Sequence, residues 1–432
     1  MAIMKKVCLI SLGCPKNLTD SEELLGNLCA ENYQIIQNEN EADIAVLNTC
    51  AFIDPAVKEA VAEIKKLIHL KKTGRLKKII VCGCLVEREK EKLKKKYPLI
   101  DSIVSTKALD KINIAVKKNG SYLGTSSDIL LSPQYKLRLT APHSAYLKIA
   151  DGCDNFCSYC LIPALKGRFR SKSIEMIIDE AEALIKNGAK EISLIAQDTT
   201  NYGVDLYGKP VLIKLLKKLI KIPNLKWLRL MYVYPERLNK ELLNLIKNEK
   251  IICKYLDVPL QHISNNVLKG MNRQSTEKSI REKIAEIKKI APNISLRTNF
   301  ITGFPGETEK DFQKLLDFIK EIEFNYVGIF PYSKEKGTPA FNLKSQIPEE
   351  IKQERVNFLI DAQSAVVDKI NARLINKKVR ILMDNEQYGR TFAEAPDIDG
   401  NFLVESKKQL KPGSFVQAKI VEAVGYNRKA KA

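Results

Sequence analysis

Histidine is scarce in this chain, long apolar runs are missing, and acidic residues are outnumbered. With only His69, His143 and His262 available, there is little to complete a zinc site of mixed Cys/His type. No stretch reaches the roughly 18 consecutive apolar residues of a membrane span. The first third lacks a G-x-G-x-x-G fingerprint, so a dinucleotide is not indicated there. The start, Met1 to Lys6 followed by Val7 to Leu12, faintly imitates a signal peptide. Its apolar part is at the lower limit for such a segment and no small-residue cleavage site follows. It reads as a first core strand, and the expected location is cytoplasmic. Lys and Arg number 71 against 51 Asp and Glu, a formal net charge of +20. That excess points to an anionic partner such as RNA or a ribosome, with a solvated lysine-rich surface as the plain alternative.

What is present is an ordinary globular composition, 45% hydrophobic and 28% charged, over 432 residues. That length accommodates two or three domains with substantial cores. Ten cysteines in a chain this large suggest metal or redox use, not a disulfide framework.

The most informative stretch is Asp151-Gly-Cys-Asp-Asn-Phe-Cys-Ser-Tyr-Cys-Leu-Ile-Pro163. Cys153, Cys157 and Cys160 stand at C-x-x-x-C-x-x-C spacing directly after an apolar run that reads as a strand. Three thiolates from one loop form a tripod, and a four-iron cluster so held keeps one iron open for a substrate or cofactor. A zinc knuckle would want a fourth ligand nearby, and the closest downstream candidate is Cys253. Phe156 and Tyr159, between the cysteines, suit a partly covered cluster.

Residues 1 to about 135 contain three strand-then-helix units. Val7–Gly13 ends at Cys14, and a helix follows with Thr19 or Asp20 as its cap and Leu24, Leu25 and Leu28 inward. Asp43–Asn48 runs into Cys50, with a helix from Pro55. Lys78–Cys82 reaches Cys84, followed by a charged helix over about 87–96. The pattern implies a parallel sheet with right-handed crossovers, whose ligands bind beyond the carboxyl ends of the strands. Cys14, Cys50 and Cys84 each occupy that edge, so the fold should assemble a second tripod; separate buried thiols are the alternative. Cys8, Cys29, Cys82 and Cys253 look like core cysteines. A Ser/Pro-containing stretch near 126–142 reads as a linker.

From about 140 to 368 strands and helices alternate regularly. The strand before the cluster loop, with Glu191–Ala196, Trp227–Val233, Tyr255–Leu260, Leu296–Thr302 and Tyr326–Phe330, gives six, a partial (β/α)6 barrel. Its active side is expected at the carboxyl edge. Gln197, His262 and the turn Gly303-Phe-Pro-Gly306-Glu307-Thr308 collect there. The turn either approaches a ligand closely or simply caps the next helix, and His262 is either catalytic or a core histidine. Residues 371–432 read as a small all-β barrel of the oligonucleotide-binding kind. Its expected strands are Lys378–Met383, Gly389–Glu394, Phe402–Val404 and Phe415–Val424. The acidic residues Asp384, Glu386, Glu394, Asp397 and Asp399 suggest a face that repels phosphate and suits a basic protein, or else a solvated turn.

The cluster loop resembles that of radical S-adenosylmethionine (SAM) enzymes, residue by residue at Cys153, Cys157 and Cys160, with Tyr159 as the typical aromatic before the last cysteine. Over essentially its whole length the chain is similar to the methylthiotransferase branch of that family. Ser11-Leu-Gly-Cys-Pro-Lys-Asn17, continuing to Asp20-Ser-Glu22, resembles the first-cysteine signature of the RimO type, which modifies an aspartate of small-subunit ribosomal protein S twelve. The tRNA-modifying MiaB type usually has Gln-Met at Pro15-Lys16, and Gly389 to Gly400 also looks RimO-like. Thr19 stands where that signature more often has Val, away from any ligand.

The resemblance implies three domains: an N-terminal methylthiotransferase domain (1–135), a radical SAM domain (140–368) and a TRAM domain (371–432). It implies two [4Fe-4S] clusters. One, on Cys153, Cys157 and Cys160, would bind SAM and yield a 5′-deoxyadenosyl radical; the other, auxiliary, on Cys14, Cys50 and Cys84, would carry the sulfur. The radical would take a hydrogen from the β-carbon of the substrate aspartate. An external electron donor of flavodoxin or ferredoxin type is implied, RNA contact is allowed, and a tRNA adenosine substrate is the alternative. Gln197, Arg297, Gly303, Gly306 and Glu307 are the candidates for holding SAM or substrate.

Overall fold

The computed structural model describes residues 4–124 and 136–432; most of the expected linker at 126–142 therefore lies outside the described residues. The chain divides into two compact units. One comprises Met1–Leu139, Ala150–Phe156 and Cys160–Lys172, the other Thr140–Ile149, Cys157–Tyr159 and Ser173–Ala432.

In the first unit the elements run β1 (Lys6–Ser11), α1 (Pro15–Ala30), β2 (Gln34–Ile36), β3 (Ile44–Thr49), α2 (Asp54–Lys72) and β4 (Lys78–Gly83). They continue with α3 (Cys84–Glu89), α4 (Glu91–Lys96), β5 (Ser102–Ser105), α5 (Ile112–Lys117) and β6 (Gly120–Tyr122). The strands form one parallel sheet in the order β2-β1-β3-β4-β5-β6. β1, β3 and β4 follow the sequence pattern. The three added strands have only three or four residues, too few for a periodicity to show. The expected helix over 87–96 is instead two helices separated at Lys90, whose φ is +50°.

The start of α1 also differs from expectation. Cys14, not Thr19 or Asp20, sits at the N-cap, with Pro15 in the first turn. Asp20, Glu22 and Glu23 are buried in the helix because each meets a lysine: Lys166 at 2.8 Å, Lys136 at 3.2 Å and Lys172 at 3.4 Å. Cys29 is exposed, a correction to its reading as a core thiol. It lies in the last turn of α1, one position past the inward Leu28.

The second unit opens with β7 (Ser144–Lys148); β8 (Ala150–Asp151), α6 (Ile162–Lys166) and β9 (Arg170–Ser171) belong to the first. Then come α7 (Ile174–Lys186), β10 (Glu191–Ile195), α8 (Val204–Tyr207), α9 (Leu212–Leu219), β11 (Trp227–Leu230), α10 (Lys240–Asn248) and β12 (Tyr255–Asp257). They are followed by α11 (Asn265–Gly270), α12 (Glu277–Ile290), β13 (Ser295–Thr302), α13 (Glu309–Ile322), β14 (Tyr326–Pro331) and α14 (Glu349–Leu374). Parallel triplets β7-β10-β11 and β12-β13-β14 are joined by a parallel bridge between Leu228 and Ile252. This is the expected six-stranded partial barrel. β11 and β12 stop earlier than the apolar runs suggest; Tyr232, two residues past β11, has φ +58°, and Gln261 returns to pair with Phe300 in an isolated parallel bridge.

The last five strands, β15 (Lys378–Met383), β16 (Tyr388–Arg390), β17 (Phe402–Glu405), β18 (Phe415–Val424) and β19 (Asn427–Lys431), close into a barrel around Ile381, Met383, Phe402, Val404, Ala418, Ile420 and Ala430. After Arg390 the chain leaves this barrel, and residues 391–399 fill the amino-terminal end of the six-stranded one. Arg390 is buried and pairs with Glu191 at the start of β10 (2.9 Å) and with Asp384 (2.8 Å). Arg229 pairs with Glu191 (2.8 Å) and donates to the carbonyl of Phe392 (2.8 Å). Tyr326 and Arg428 both donate to Glu394, and Tyr255 and Arg297 to Asp399.

Of the five acidic residues expected to form a docking face or a solvated turn, Glu386 and Asp397 are exposed and the other three are not free to dock. Asp384, Glu394 and Asp399 face internal partners, because an unpaired buried carboxylate would be far too costly. Trp227, at the same end, packs edge-on against Phe415 at 5.0 Å. Replacing Arg390 by Met breaks a buried pair and should cost about 3–5 kcal/mol. Arg373→Met, which removes the exposed pair with Glu323, should cost under about 1 kcal/mol. Denaturant titration followed by the fluorescence of the single tryptophan, Trp227, measures both.

Candidate active site

Parallel strands β1, β3 and β4 are neighbours, so their carboxyl ends share one edge. Cys14, Cys50 and Cys84 follow those ends. A hydrogen-bond frame fixes them. Asn17 donates to the carbonyl of Leu12 (2.6 Å), and Asn48 donates to the carbonyl of Asn17 (3.1 Å) and to Ser21 Oγ (2.8 Å). Ser21 in turn donates to Ser11 Oγ (2.8 Å). Thr49 donates to the carbonyl of Cys82 (2.6 Å) and accepts from the amide of Leu85 (3.2 Å), which ties the end of β3 to the first turn of α3. Thr19 turns its hydroxyl back to the carbonyl of Lys16 (2.8 Å). Sequence reading named the cysteines and quoted Asn17 and Ser21 within the first-cysteine signature, but it missed their part in this frame, and Asn48 and Thr49 carry no motif signal of their own.

The three thiols sense one another. Burial pushes Cys84 up to about 12, with negative charge on Cys50 and Cys14 adding to the rise. Burial also raises Cys50, again with Cys14 contributing. By contrast Cys82 lies inside β4, fully buried among apolar side chains. Glycine at position 13 is required by space: at φ +89° its Cβ would stand 2.5 Å from Cys50 Cβ and 2.9 Å from its sulfur.

The loop after β8 turns at Gly152 (φ +75°) and at Phe156 (φ +48°), whose ring stacks with Arg168. Cys153 Sγ accepts from the Asn155 amide and Cys160 Sγ from the backbone N–H of Ile162, both at 3.4 Å. Cys157 Sγ lies 3.7 Å from the Tyr234 hydroxyl. Ser158 anchors its part of the loop through bonds to the carbonyls of Met271 and Gly270. Tyr159 packs on a cluster of Val267, Met271, Phe304, Tyr332 and Ala340.

The remaining candidates separate. Gln197 is half-buried just past β10. Gly303 and Gly306 have positive φ, and a Cβ at Gly306 would meet open space. Glu307 is buried and closes its own turn, accepting from the amides of Gly303 (2.7 Å) and Phe304 (3.3 Å), from Thr302 (3.0 Å) and from Arg355 (2.8 Å). Thr308 caps α13 with Asp311 in a capping box. Arg297 is held by Asp257 (2.9 Å) and Asp399 (3.3 Å). Glu307 and Arg297 are thus held in place by groups of the protein itself. His262 is fully buried; its Nδ1 accepts from the amide of Ser264 (3.0 Å), and burial pushes its pKa down to about 3. It is a neutral core histidine.

Comparison with known proteins agrees with this architecture. The radical SAM superfamily matches residues 147–319, the TRAM domain 374–432, and Uncharacterized protein family UPF0004 residues 6–105. The ribosomal protein uS12 methylthiotransferase RimO of Elusimicrobium minutum is 54% identical, covering 99% of this chain and all of that protein. The same enzyme of Clostridium botulinum is 45% identical and that of Geobacter sulfurreducens 42%, each over 98% of this chain and 97% of the relative. The chain belongs to the RimO family. In fold, this RimO-family chain is similar to the radical SAM methyltransferase TsrM of Kitasatospora setae (TM-score 0.56, 14% identity, 78% of this chain and 77% of that one). It is also similar to the radical SAM enzyme OxsB (TM-score 0.51, 14% identity, 83% and 56%).

Both cysteine triads of this RimO-family chain suit an iron–sulfur cluster by donor type and surroundings. N–H···S bonds reach Cys153 and Cys160, contacts of the kind that tune cluster potentials. Among the described residues no three His, Cys, Asp or Glu side chains converge closely enough for a single metal ion.

Gly13→Ala should cut the iron bound after anaerobic reconstitution by about half, leaving the cluster of the C-x-x-x-C-x-x-C loop; iron assay and electron paramagnetic resonance of the reduced protein check it. His262 gives a pH prediction. Its folded pKa of about 3 lies below the usual value of about 6.5, so the unfolded chain takes up the proton first. Stability should therefore fall as pH drops from 7 to 5, and His262→Asn should reduce that slope in urea titrations at the two pH values.

Proposed function

We propose that this protein is a radical SAM methylthiotransferase that adds a methylthio group to the β-carbon of an aspartate in ribosomal protein uS12. The observation that carries the reading is the pair of cysteine triads, one on a local loop and one gathered at a parallel-sheet edge, in a chain similar to RimO over its whole length.

In this reading Cys153, Cys157 and Cys160 hold one [4Fe-4S] cluster, and Cys14, Cys50 and Cys84 hold the auxiliary one. Each triad leaves an iron without a protein ligand; when bound, the clusters supply reductive SAM cleavage at one site and a sulfur at the other. The chain's own contribution is placement and exclusion of water. The Asn17–Asn48–Thr49 frame fixes the auxiliary triad, while Ser158 and Tyr159 anchor the loop at the carboxyl edge of the barrel. Gln197 and the backbone of Gly303 and Gly306 are the positions for SAM or substrate contact. The excess of lysine supports contact with ribosomal RNA near the substrate protein, and an external one-electron donor completes the cycle. No described helix is long and apolar enough to cross a membrane.

Mass spectrometry of ribosomal protein uS12 from a strain lacking this gene should show an unmodified aspartate, restored by the wild-type gene. Loss of a methylthio group from tRNA, with uS12 unchanged, would instead establish an adenosine substrate. Replacing Cys153, Cys157 and Cys160 together by Ala should abolish SAM cleavage under dithionite while retaining about half the iron.

A further inference from the structure

Lys166 ends α6, the short helix that begins just after Cys160, and is only 6% exposed. Lysine is almost never buried unless it is paired. Its ammonium donates to Asp20 of α1 (2.8 Å) and stands 3.7 Å from Asp151 of β8. All three residues belong to the first compact unit, as do Cys14, Cys50 and Cys84. Packing brings α6 to that triad. Leu161 and Leu165 share a core with Ala51, Leu85 and Cys84 itself, and Thr106 donates to the carbonyl of Leu165 (2.6 Å).

The ammonium therefore lies in the field of the auxiliary triad. Of the charges acting on Cys84, that of Lys166 is the strongest, ahead of Cys50, Cys14 and Asp20, and of these four it alone favours the thiolate. Burial disfavours the charged form of Lys166, but Asp151, Asp20 and Cys84 together hold its pKa well above the ordinary lysine value. It is a fixed cation.

Exchanging a buried ion pair for apolar side chains is often neutral or stabilising, so stability gives little reason for a charge here. Its place gives one. An iron–sulfur cluster becomes more negative on reduction, and its potential follows the net charge around it. In an interior of low dielectric, an ammonium near a ligating sulfur favours the reduced form.

We propose that Lys166 is a positioning residue that raises the reduction potential of the auxiliary cluster through its charge near Cys84. Asp20 holds the ammonium there and, as an anion, partly offsets it. The proposal rests on the reading that Cys14, Cys50 and Cys84 hold a cluster.

The test uses full-length protein reconstituted anaerobically, in a parent form carrying Cys153→Ala, Cys157→Ala and Cys160→Ala so that the auxiliary cluster alone is read. Its midpoint potential is measured by redox titration followed by electron paramagnetic resonance. Lys166→Met should lower that potential by about 59 mV or more, a tenfold change in the ratio of reduced to oxidised cluster for one electron. Lys166→Arg, which keeps the charge, should stay near the parent value. Asp20→Asn, which removes the opposing charge, should raise it. A merely structural ion pair predicts shifts of the same sign in Lys166→Met and Asp20→Asn, since both break one contact. Shifts of the same sign, or none, overturn the proposal. Where Lys166→Met binds too little iron to titrate, the double variant Lys166→Met/Asp20→Asn takes its place. It should still titrate below the parent, and a potential at or above the parent value overturns the proposal. A parent form that assembles no cluster refutes the auxiliary-cluster reading and this role with it. A parent cluster whose potential ignores Lys166 leaves that reading intact and removes only the role of Lys166.

Discussion

In a parallel sheet every strand delivers its last residue to the same edge, and β1, β3 and β4 use that edge to present Cys14, Cys50 and Cys84. Residues 36 and 34 positions apart in the chain become neighbours without any local motif. The constraint carries a cost in backbone freedom. Gly13 and Gly83 adopt positive φ, and neither has room for a Cβ, because Cys50 lies against the first and Asn48 and Thr49 against the second. The polar side chains of Asn17, Ser21, Asn48 and Thr49 then satisfy the backbone groups that strand ends leave open.

The opposite principle governs the amino end of the six-stranded barrel. Strand starts there are lined with charge, Glu191, Arg229 and Arg297 among them, in an interior where each ion needs a partner. The segment after β16 supplies those partners through Arg390, Glu394 and Asp399. The terminal barrel is thereby tied to the radical SAM fold by paired charges. Within this unit the amino end of the barrel is closed by matched ions.

Much of this was legible in the sequence where a pattern was local. The C-x-x-x-C-x-x-C loop is a spacing. The six barrel strands are apolar runs, and the three N-terminal units alternate strand and helix clearly enough to predict an edge shared by three cysteines. Short strands such as β2 and β6 carry no periodicity, and β19, Asn-Arg-Lys-Ala-Lys, is too basic to resemble one. Arg297, Glu307 and the acidic residues near 384–399 suggested function because charge in a loop signals a ligand or a partner. Several partners proved to be internal, some far away in the chain, as with Arg297 and Asp399, and some within the same turn, as with Glu307 and Gly303.

The sequence by itself determined the ligand chemistry, the fold class and the family resemblance, since residue type and spacing express these directly. Only the tertiary structure decided which charges are paired inside the protein and which stay at its surface. Ion pairing in a low-dielectric interior depends on distances between side chains from remote segments. Arg373 and Arg390 look alike along the chain; folding buries Arg390 beside Glu191 and Asp384 and leaves Arg373 exposed beside Glu323.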